Sequence, residues 1–441
     1  MRLIWLWFIA GITIWPIHST VATFGDKPID MMFSDALIFL IPISYVFIRT
    51  TPTREQCQSA KAPILWYSLT PTLALICVVY MTAVAGIGLG LSGETVRIFS
   101  AFKLAKPVGF VLLGLMLGSW TDPMEFIDIF SRAFGILTGL SFFFTLTEPS
   151  FPLGEWGKYL FEYELSGYPN SPMSFYAVLV PLLIAAADTS KNRLLQLAGW
   201  GLSATTALII LGSMSRSSAL AFFFGTVLYL AMTGRQAFLV GSFIVITVFS
   251  IVGFGLFSAL KETDVVAVLT QRVQDRVNRS TESEDPSSGR FDIWEFALEL
   301  SAEKPIFGYM FESFSRYTGD VDTPHQQYLE VLYKCGGLGL LFYGSVLVSC
   351  WMVTNRLLRL ATFQSPAWYR LHAMIAMLGA VSLGNLTQPN LTYSLTGNMV
   401  FLMFGTLCSS RAVVSVSLTG MKTRSMSDCL LYTSDAGRRR G

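Results

Sequence analysis

The residues best suited to chemistry lie in one polar stretch, Ser288 to Tyr343, of an otherwise apolar chain. Arg290 stands in the run Ser-Gly-Arg-x-x-x-Trp, and His325 stands in the run Pro-His-x-x-Tyr-Leu-Glu, which ends at Glu330. A guanidinium presents a planar fork of donors that suits a diphosphate. A neutral imidazole accepts a proton, and the carboxylate is the alternative base. The stretch therefore predicts a site for an anion with a group that can accept a proton beside it.

The first helix of this stretch is predicted to follow Ser287 or Ser288, either of which can cap it, with Arg290 in its first turn. Lys304-Pro305 ends the helix, because the residue before a proline is pushed out of helical dihedrals. One face is apolar and carries Phe291, Trp294 and Leu298, with Glu295 and Glu299 off it. This amphipathic pattern is typical of a helix that lies on a membrane surface.

A second helix is predicted to begin at Thr323, with Thr323 as N-cap, Pro324 at the first helical position and Gln326 completing a capping box. His325 would then sit in the first turn. Unpaired backbone N–H groups and the positive end of the helix dipole favour an anion there and keep the imidazole neutral.

These motifs, together with Pro-x-x-Gly at Pro305 to Gly308 and the Gly-Leu-rich run that begins at Gly336, resemble the large periplasmic loop of the O-antigen ligase and polymerase superfamily. The resemblance covers Ser288 to Tyr343. Family members commonly carry Asn directly after the histidine, where this chain has Gln326. A side-chain amide is kept there but is shifted by one methylene.

The resemblance implies a bacterial inner-membrane glycosyltransferase whose active face is periplasmic. Such an enzyme moves a glycan from a polyprenyl pyrophosphate carrier to an acceptor hydroxyl on a glycan, on lipid A core or on a protein. The implied reaction is an inverting displacement that needs neither a metal nor another cofactor. His325 is the expected base and Glu330 the second choice. Arg290 and Arg216, which stands in a Ser-Arg step similar to one in the family, would hold the pyrophosphate.

Each of these residues also has a structural reading. Arg216 can reach lipid headgroups by snorkelling. Arg290 can pair with Asp292 or stack on Trp294. His325 can be a positioning contact instead of the base.

Composition places the chain among polytopic membrane proteins, since 52% of its 441 residues are hydrophobic and only 14% are charged. A net charge of +2 gives no indication of nucleic acid as a partner. We therefore predict an all-α polytopic membrane protein with about twelve spans of about 20 residues each. The predicted spans are Leu3 to Ile17, Met31 to Phe47, Pro63 to Ala85, Val108 to Trp120, Ala133 to Leu146, Met173 to Ala187, Leu197 to Met214, Ala219 to Met232, Phe238 to Leu256, Leu338 to Val353, Leu371 to Leu383 and Asn398 to Ser409.

Lysine and arginine in the short loops place both chain ends in the cytoplasm and the motif-bearing loop outside. The predicted order is transmembrane helices in 1–257, the large periplasmic loop in 258–335, further transmembrane helices in 336–412 and a cytoplasmic tail in 413–428. Glu94 to Lys106 falls on the outer side and is interpreted as an amphipathic interfacial segment. Its Arg97 is a third candidate for binding the pyrophosphate.

Several other patterns carry less weight. Met1 to Pro16 is interpreted as a first transmembrane helix and not as a signal peptide, because no small-x-small cleavage site follows. The cysteines lack the spacing of a zinc site or a disulfide framework. Residues 429–441 resemble a translated sequencing adaptor and are interpreted as an artefact that is not part of the fold.

A transporter or flippase of a lipid-linked glycan is the alternative function. It would be expected to show two repeated halves with ionisable groups at mid-membrane. We find no such repeat in the sequence, and the charged candidates cluster on the outer side.

Overall fold

The computed structural model describes residues 2–14, 18–24, 27–32, 37–38, 40–42, 95–147, 170–212, 215–235, 290–319, 321, 323–388, 394–409, 411–412 and 416. Most of these residues are helical. The elements are α1 (Arg2–Ile14), β1 (His18–Phe24), β2 (Lys27–Met32), α2 (Thr95–Trp120), α3 (Pro123–Thr147), α4 (Asn170–Thr189), α5 (Arg193–Gly212), α6 (Arg216–Met232), α7 (Arg290–Glu303), α8 (Ser315–Thr318), α9 (Gln327–Leu360), α10 (Pro366–Gly384) and α11 (Ser394–Cys408).

The prediction of an all-α chain is wrong at one place. β1 and β2 form a two-stranded antiparallel hairpin between His18 and Met32. β1 carries Thr and Val, which favour strands, and its seven residues are too few to form a stable helix of their own. The predicted spans Pro63 to Ala85 and Phe238 to Leu256, and most of Met31 to Phe47, lie outside the described residues. The start predicted for Met31 to Phe47 is wrong, because Met31 and Met32 belong to β2.

Where their residues are described, the remaining predicted spans fall on helices. α3, α4, α6, α9 and α10 each contain the apolar run predicted for them. One boundary differs, because Glu94 to Lys106 is not a separate interfacial segment. From Thr95 onward it is continuous with the following span in α2, which passes through Pro107 without ending.

Length and composition single out one described helix, Gln327–Leu360, as able to cross a membrane. A second span arises among the described residues if Leu104–Trp120 and Pro123–Leu140, which meet at 116°, are counted as one broken helix. Shorter apolar helices are Leu3–Thr13, Met173–Thr189, Ser217–Met232 and Thr396–Cys408.

Polar contacts tie together one end of the helical bundle, here called the basic end. Arg235, just after α6, donates to the Asp188 carboxylate at the end of α4 (2.6 Å) and lies over the Tyr369 ring near the start of α10 (5.7 Å). Arg370 donates to Asp128 near the start of α3 (2.6 Å). Because α4 and α6 end here and α10 begins here, the starts of α4 and α6 and the end of α10 meet at the opposite end of the bundle, here called the site end.

α2 and α11 run parallel and in close contact through small residues. A Cβ atom built on Gly114 would lie 2.2 Å from the Leu402 carbonyl oxygen, and one built on Gly118 would lie 2.6 Å from the Thr406 carbonyl oxygen. Glycines four residues apart allow two helix backbones to approach this closely. Since α2 ends at Trp120, shortly before Asp128 at the basic end, the first turn of α2 with Arg97 lies toward the site end.

α9 is broken near its start. Gly336 has φ 67° and ψ −169°, which only glycine adopts readily. The Tyr328 and Tyr343 rings lie 6.2 Å apart between centroids, although 15 residues of straight helix would separate their backbones by about 22 Å. The break therefore folds the half-helix Gln327 to Cys335 back against the longer half of α9 that follows Gly336.

Candidate functional site

The start of α9 differs from the sequence prediction. The N-cap is Gln326 and not Thr323, and its side-chain oxygen accepts a hydrogen bond from the Leu329 backbone N–H (3.0 Å). His325 therefore precedes the helix instead of lying in its first turn. It is exposed and has φ 53°, in the left-handed region. Its backbone N–H points to the Thr323 hydroxyl (3.4 Å), so Thr323 closes a turn in place of capping the helix.

The Pro305 to Gly308 motif fills the break in α9. Gly308 has φ 63°, and a Cβ atom there would lie 2.4 Å from the Tyr333 carbonyl oxygen, so the two backbones are in contact. The residues after the break donate hydrogen bonds to the turn, and the residues just after the turn donate to the residues before the break. These bonds replace the helical hydrogen bonds that are lost at Gly336. These bonds are Gly337 N–H to Pro305 O (2.7 Å), Leu338 N–H to Ile306 O (3.3 Å), Tyr309 N–H to Tyr333 O (2.7 Å) and Phe311 N–H to Lys334 O (3.4 Å).

Aromatic stacking reinforces the same junction. The Tyr309 ring stacks on Tyr333 of the half-helix, with centroids 5.1 Å apart. Its hydroxyl donates to the Glu303 carboxylate at the end of α7 (2.5 Å), and this hydrogen bond raises the pKa of Tyr309 to about 12. The turn at Pro305 to Gly308, together with Tyr309, thus links α7 to α9 and fixes their relative position.

α7 begins at Arg290 and ends at Glu303, directly before Lys304-Pro305, as predicted. The half-buried Arg290 donates from Nη1 to the Thr387 carbonyl oxygen (3.3 Å), beyond the end of α10. One turn later, the Trp294 indole N–H donates to the Pro324 carbonyl oxygen (3.0 Å). Since Pro324 precedes His325, this bond links the helix that carries Arg290 to the turn that carries His325.

A buried polar network lies at the same end of the bundle. Ser174 of α4 donates to the Gln388 side-chain oxygen (3.0 Å), and its hydroxyl lies 3.4 Å from that of Ser218. Ser215, the N-cap of α6, donates to Ser218 (2.8 Å). Arg216 is the first residue of α6 and therefore starts its helix within this network. The Gln388 backbone follows Thr387, the acceptor for Arg290, so the starts of α6 and α7 are connected through a few residues.

The two remaining candidates are placed differently. Arg97 lies in the first turn of α2, and its side chain lies outside the part of the chain that the structure describes. Glu330 is buried, with an exposed fraction of 1%, and accepts a hydrogen bond from Lys334 one turn later (2.5 Å). A carboxylate held this way is suited to fixing the half-helix more than to meeting a substrate.

The sequence prediction missed the residues that connect these parts. Gln388, Asn385 and Ser174 are buried, and the Asn385 carbonyl oxygen accepts the Gln327 backbone N–H at the start of α9 (3.0 Å). The sequence did contain a signal for Asn385 and Gln388, because three of the four residues from Asn385 to Gln388 are polar and they directly follow the apolar helix α10. Polar side chains at such a position are usually functional or pair with one another.

Among the described residues, no group of three or more His, Cys, Asp and Glu side chains could hold a metal ion. The arrangement instead collects guanidinium, hydroxyl and amide donors at the site end, with an exposed imidazole beside them. Donors of these kinds suit a phosphate or a sugar hydroxyl.

A comparison with curated proteins found no match. A comparison with family models found one, described as O-antigen ligase, over residues 201–344. The matched segment includes Arg216, Arg290, His325 and Glu330, and it runs from α5 through the break in α9. This match confirms the resemblance inferred from the motifs: the region from residue 201 to residue 344 is similar to the O-antigen ligase domain.

Proposed function

We propose that this protein is a glycosyltransferase that moves a glycan from a polyprenyl pyrophosphate carrier to an acceptor hydroxyl. The observation that carries the proposal is the O-antigen ligase match over residues 201–344, which contains the starts of both α6 and α7. Proteins of that family are membrane-integral, bacterial, and handle lipid-linked oligosaccharides and acceptor glycans. In this chain Arg290 and the helix start at Arg216 lie at one end of the bundle, where Ser174, Thr387 and Gln388 connect their surroundings.

In the proposed mechanism the arginines hold the leaving group. Arg290 and Arg216, with Arg97 as a third donor, stabilise the negative charge that develops on the pyrophosphate as it leaves. Preorganised donors in a poorly hydrated cleft lower the barrier more than the same groups do in water. The guanidinium groups would supply the positive charge that a metal ion supplies in other glycosyltransferases.

His325 is proposed as the base. It takes the proton of the acceptor hydroxyl, whose oxygen then attacks the anomeric carbon from the side opposite the pyrophosphate and inverts its configuration. The exposed position of His325 supports this role, because an acceptor glycan can approach it directly. Glu330, the second candidate base, is proposed instead to fix the half-helix through Lys334.

The orientation in the membrane forms part of the proposal. Arg235, Arg370 and Lys191 lie at or beside the basic end, where the loops between helices are short. Short loops rich in Lys and Arg favour the cytoplasm, which would put the site end on the periplasmic side of the inner membrane. We also propose about twelve transmembrane spans. This is the number predicted from the sequence, and it counts spans that lie outside the described residues.

The test uses purified protein in liposomes with a polyprenyl-pyrophosphate-linked oligosaccharide, with products separated by size on a gel. His325→Ala is expected to lower the transfer rate by about 10²–10⁴-fold, as loss of a general base does. Arg290→Ala should also abolish transfer. Arg316→Ala is the matched control, because Arg316 is an exposed arginine of α8 that pairs with Glu312, away from the contacts of Arg290.

A ladder of products from the wild type alone would indicate a polymerase. A single shift that requires lipid A core or an acceptor protein would indicate a ligase. Normal transfer by His325→Ala and Arg290→Ala would remove both residues from the mechanism. Unchanged glycan under every condition would contradict the proposal and favour the transporter alternative.

A further inference from the structure

An apolar surface is exposed on α7 and on the turn after it. It consists of Phe291, Leu298, Ile306 and Phe307, with exposed fractions of 62%, 51%, 61% and 48%. We call it the α7 apolar surface. Four large apolar side chains exposed within 17 residues are unusual for a surface that faces water on all sides.

The exposed side of α7 is divided lengthwise. At 100° per residue, Phe291 and Leu298 fall on one strip of the helix, while Asp292, Glu299 and Glu303 fall on the neighbouring strip. Ala297 and Leu300 face inward, toward the core formed with α9. A helix with an apolar strip beside an acidic strip fits a boundary between hydrocarbon and water.

The surface continues into the lipid-facing side of α9. The Leu338 backbone N–H donates to the Ile306 carbonyl oxygen (3.3 Å), so the turn lies against the first residues of the membrane-crossing half-helix. From there an exposed apolar stripe runs along α9 through Leu341 (66%), Val348 (54%) and Trp351 (52%). Ile306 therefore extends a surface whose neighbour in the membrane is lipid.

The length of α9 after its break indicates where the Pro305 to Gly308 turn lies relative to the hydrocarbon core. The 20 residues from Leu338 to Leu357 span about 30 Å, which equals the thickness of the hydrocarbon core. Arg356 and Arg359 stand at the far end of this segment, where the opposite headgroups would lie. Leu338 and the adjoining Ile306 are thereby placed at the other boundary of the hydrocarbon.

We infer that Ile306 and Phe307 insert into the acyl chains of the leaflet on the site side, and that α7 lies along that interface with its acidic strip toward water. The occupant of the α7 apolar surface is phospholipid. This inference rests on the membrane-integral character of the family and not on the transfer reaction. Its consequence is that Arg290 and His325 are held at headgroup level, where the phosphate of a lipid-linked ligand lies.

The experiment measures the depth of single labelled positions. Ile306→Cys carries an environment-sensitive nitrobenzoxadiazole label, in a chain whose six native cysteines are replaced by serine or alanine. Glu299→Cys is the matched control, since it is exposed on the acidic strip of the same region. Each protein is placed in phosphatidylcholine–phosphatidylglycerol liposomes that contain a lipid with a nitroxide near the top of its acyl chain. Aqueous iodide is the second quencher.

The nitroxide is expected to quench the label at Ile306 several-fold more than the label at Glu299, and iodide is expected to show the reverse order. Phe307→Cys, tested in the same way, keeps the result interpretable if one variant is poorly folded, as judged by gel filtration. Equal access of iodide to Ile306, Phe307 and Glu299 would overturn the inference. Protection from iodide without nitroxide quenching would also overturn it, because the occupant would then be protein, such as a second copy of the chain.

Discussion

Replacing Gly336 by alanine tests whether the break in α9 is built as described. A Cβ atom there would lie 2.2 Å from the Ile306 carbonyl oxygen and 2.3 Å from the carbonyl carbon, and both are backbone atoms that cannot rotate away. The left-handed φ of 67° adds a strain of about 1–3 kcal/mol for a residue with a side chain. Displacing the turn would also weaken the hydrogen bonds from Gly337 and Leu338, each worth about 0.5–1.5 kcal/mol. We expect a destabilisation of about 2–6 kcal/mol.

Gly344→Ala is the matched control, because it lies two turns further along the same helix and a Cβ atom there would have no heavy atom within 4 Å. Alanine is the better helix former, so this variant should be stabilised by up to about 1 kcal/mol.

Unfolding is followed in mixed micelles of a mild detergent and sodium dodecyl sulfate, with transfer activity measured in parallel. Gly336→Ala should unfold at a lower mole fraction of dodecyl sulfate and should lose transfer, whereas Gly344→Ala should do neither. Equal unfolding midpoints for the two variants would show that the turn at Pro305 to Gly308 does not stabilise the break in α9, and would refute this prediction.

Three further predictions concern contacts near the site. Lys334→Met removes the cation beside the buried Glu330 and should destabilise the protein by about 3–5 kcal/mol in the same unfolding assay; adding Glu330→Leu should recover most of that loss. If the double variant also retains transfer, Glu330 is not the base, whereas loss of transfer at restored stability would contradict its assignment as a positioning residue. Trp294→Phe removes the hydrogen bond to Pro324, and the resulting shift of the neighbouring turn should lower the transfer rate by more than its loss of about 0.5–1.5 kcal/mol in stability would indicate; an unchanged rate would contradict this coupling. Arg290→Lys keeps the charge but loses the planar fork, so it should raise the KM for the carrier more than Lys334→Arg does, and equal KM values would argue against a bidentate contact.

Most of the helices were predictable because their signals are local. An apolar run of about 20 residues forms a helix wherever lipid or other helices surround it. The end of α7 at Lys304-Pro305 follows from the backbone restriction of a single dipeptide. The hairpin from His18 to Met32 was missed because its strands lie between apolar runs and do not show a strict alternation of apolar and polar residues.

The start of α9 shows where local signals become insufficient. Thr323 and Pro324 satisfy the rules for a helix start as well as Gln326 does, so the sequence alone favours the earlier position. Two tertiary bonds decide otherwise, since Trp294 holds the Pro324 carbonyl oxygen and the Asn385 carbonyl oxygen holds the N–H of the first helical residue. Neither partner is near Thr323 in the sequence.

The candidate site was predictable as residue types but not as an arrangement. Arg290 and His325 stand out because each lies in a dense motif. Ser174 and Gln388 do not, although their side chains are in contact across 214 positions of sequence. The burial of Glu330 was also not predictable, because a Glu–Lys pair four residues apart is equally common on an exposed helix face.

The backbone hydrogen bonds between the Pro305 to Gly308 turn and the break in α9 have a consequence for the order of events during biosynthesis. The Pro305 to Gly308 turn is translated before the residues around Gly336, so the partners for the broken helix leave the ribosome first. Unbonded backbone groups are costly in hydrocarbon, and the Gly336 segment cannot settle there until the turn reaches the same boundary. In the proposed topology, translocation of the loop would therefore be a requirement for the final insertion of α9, and the site would assemble only after both have occurred.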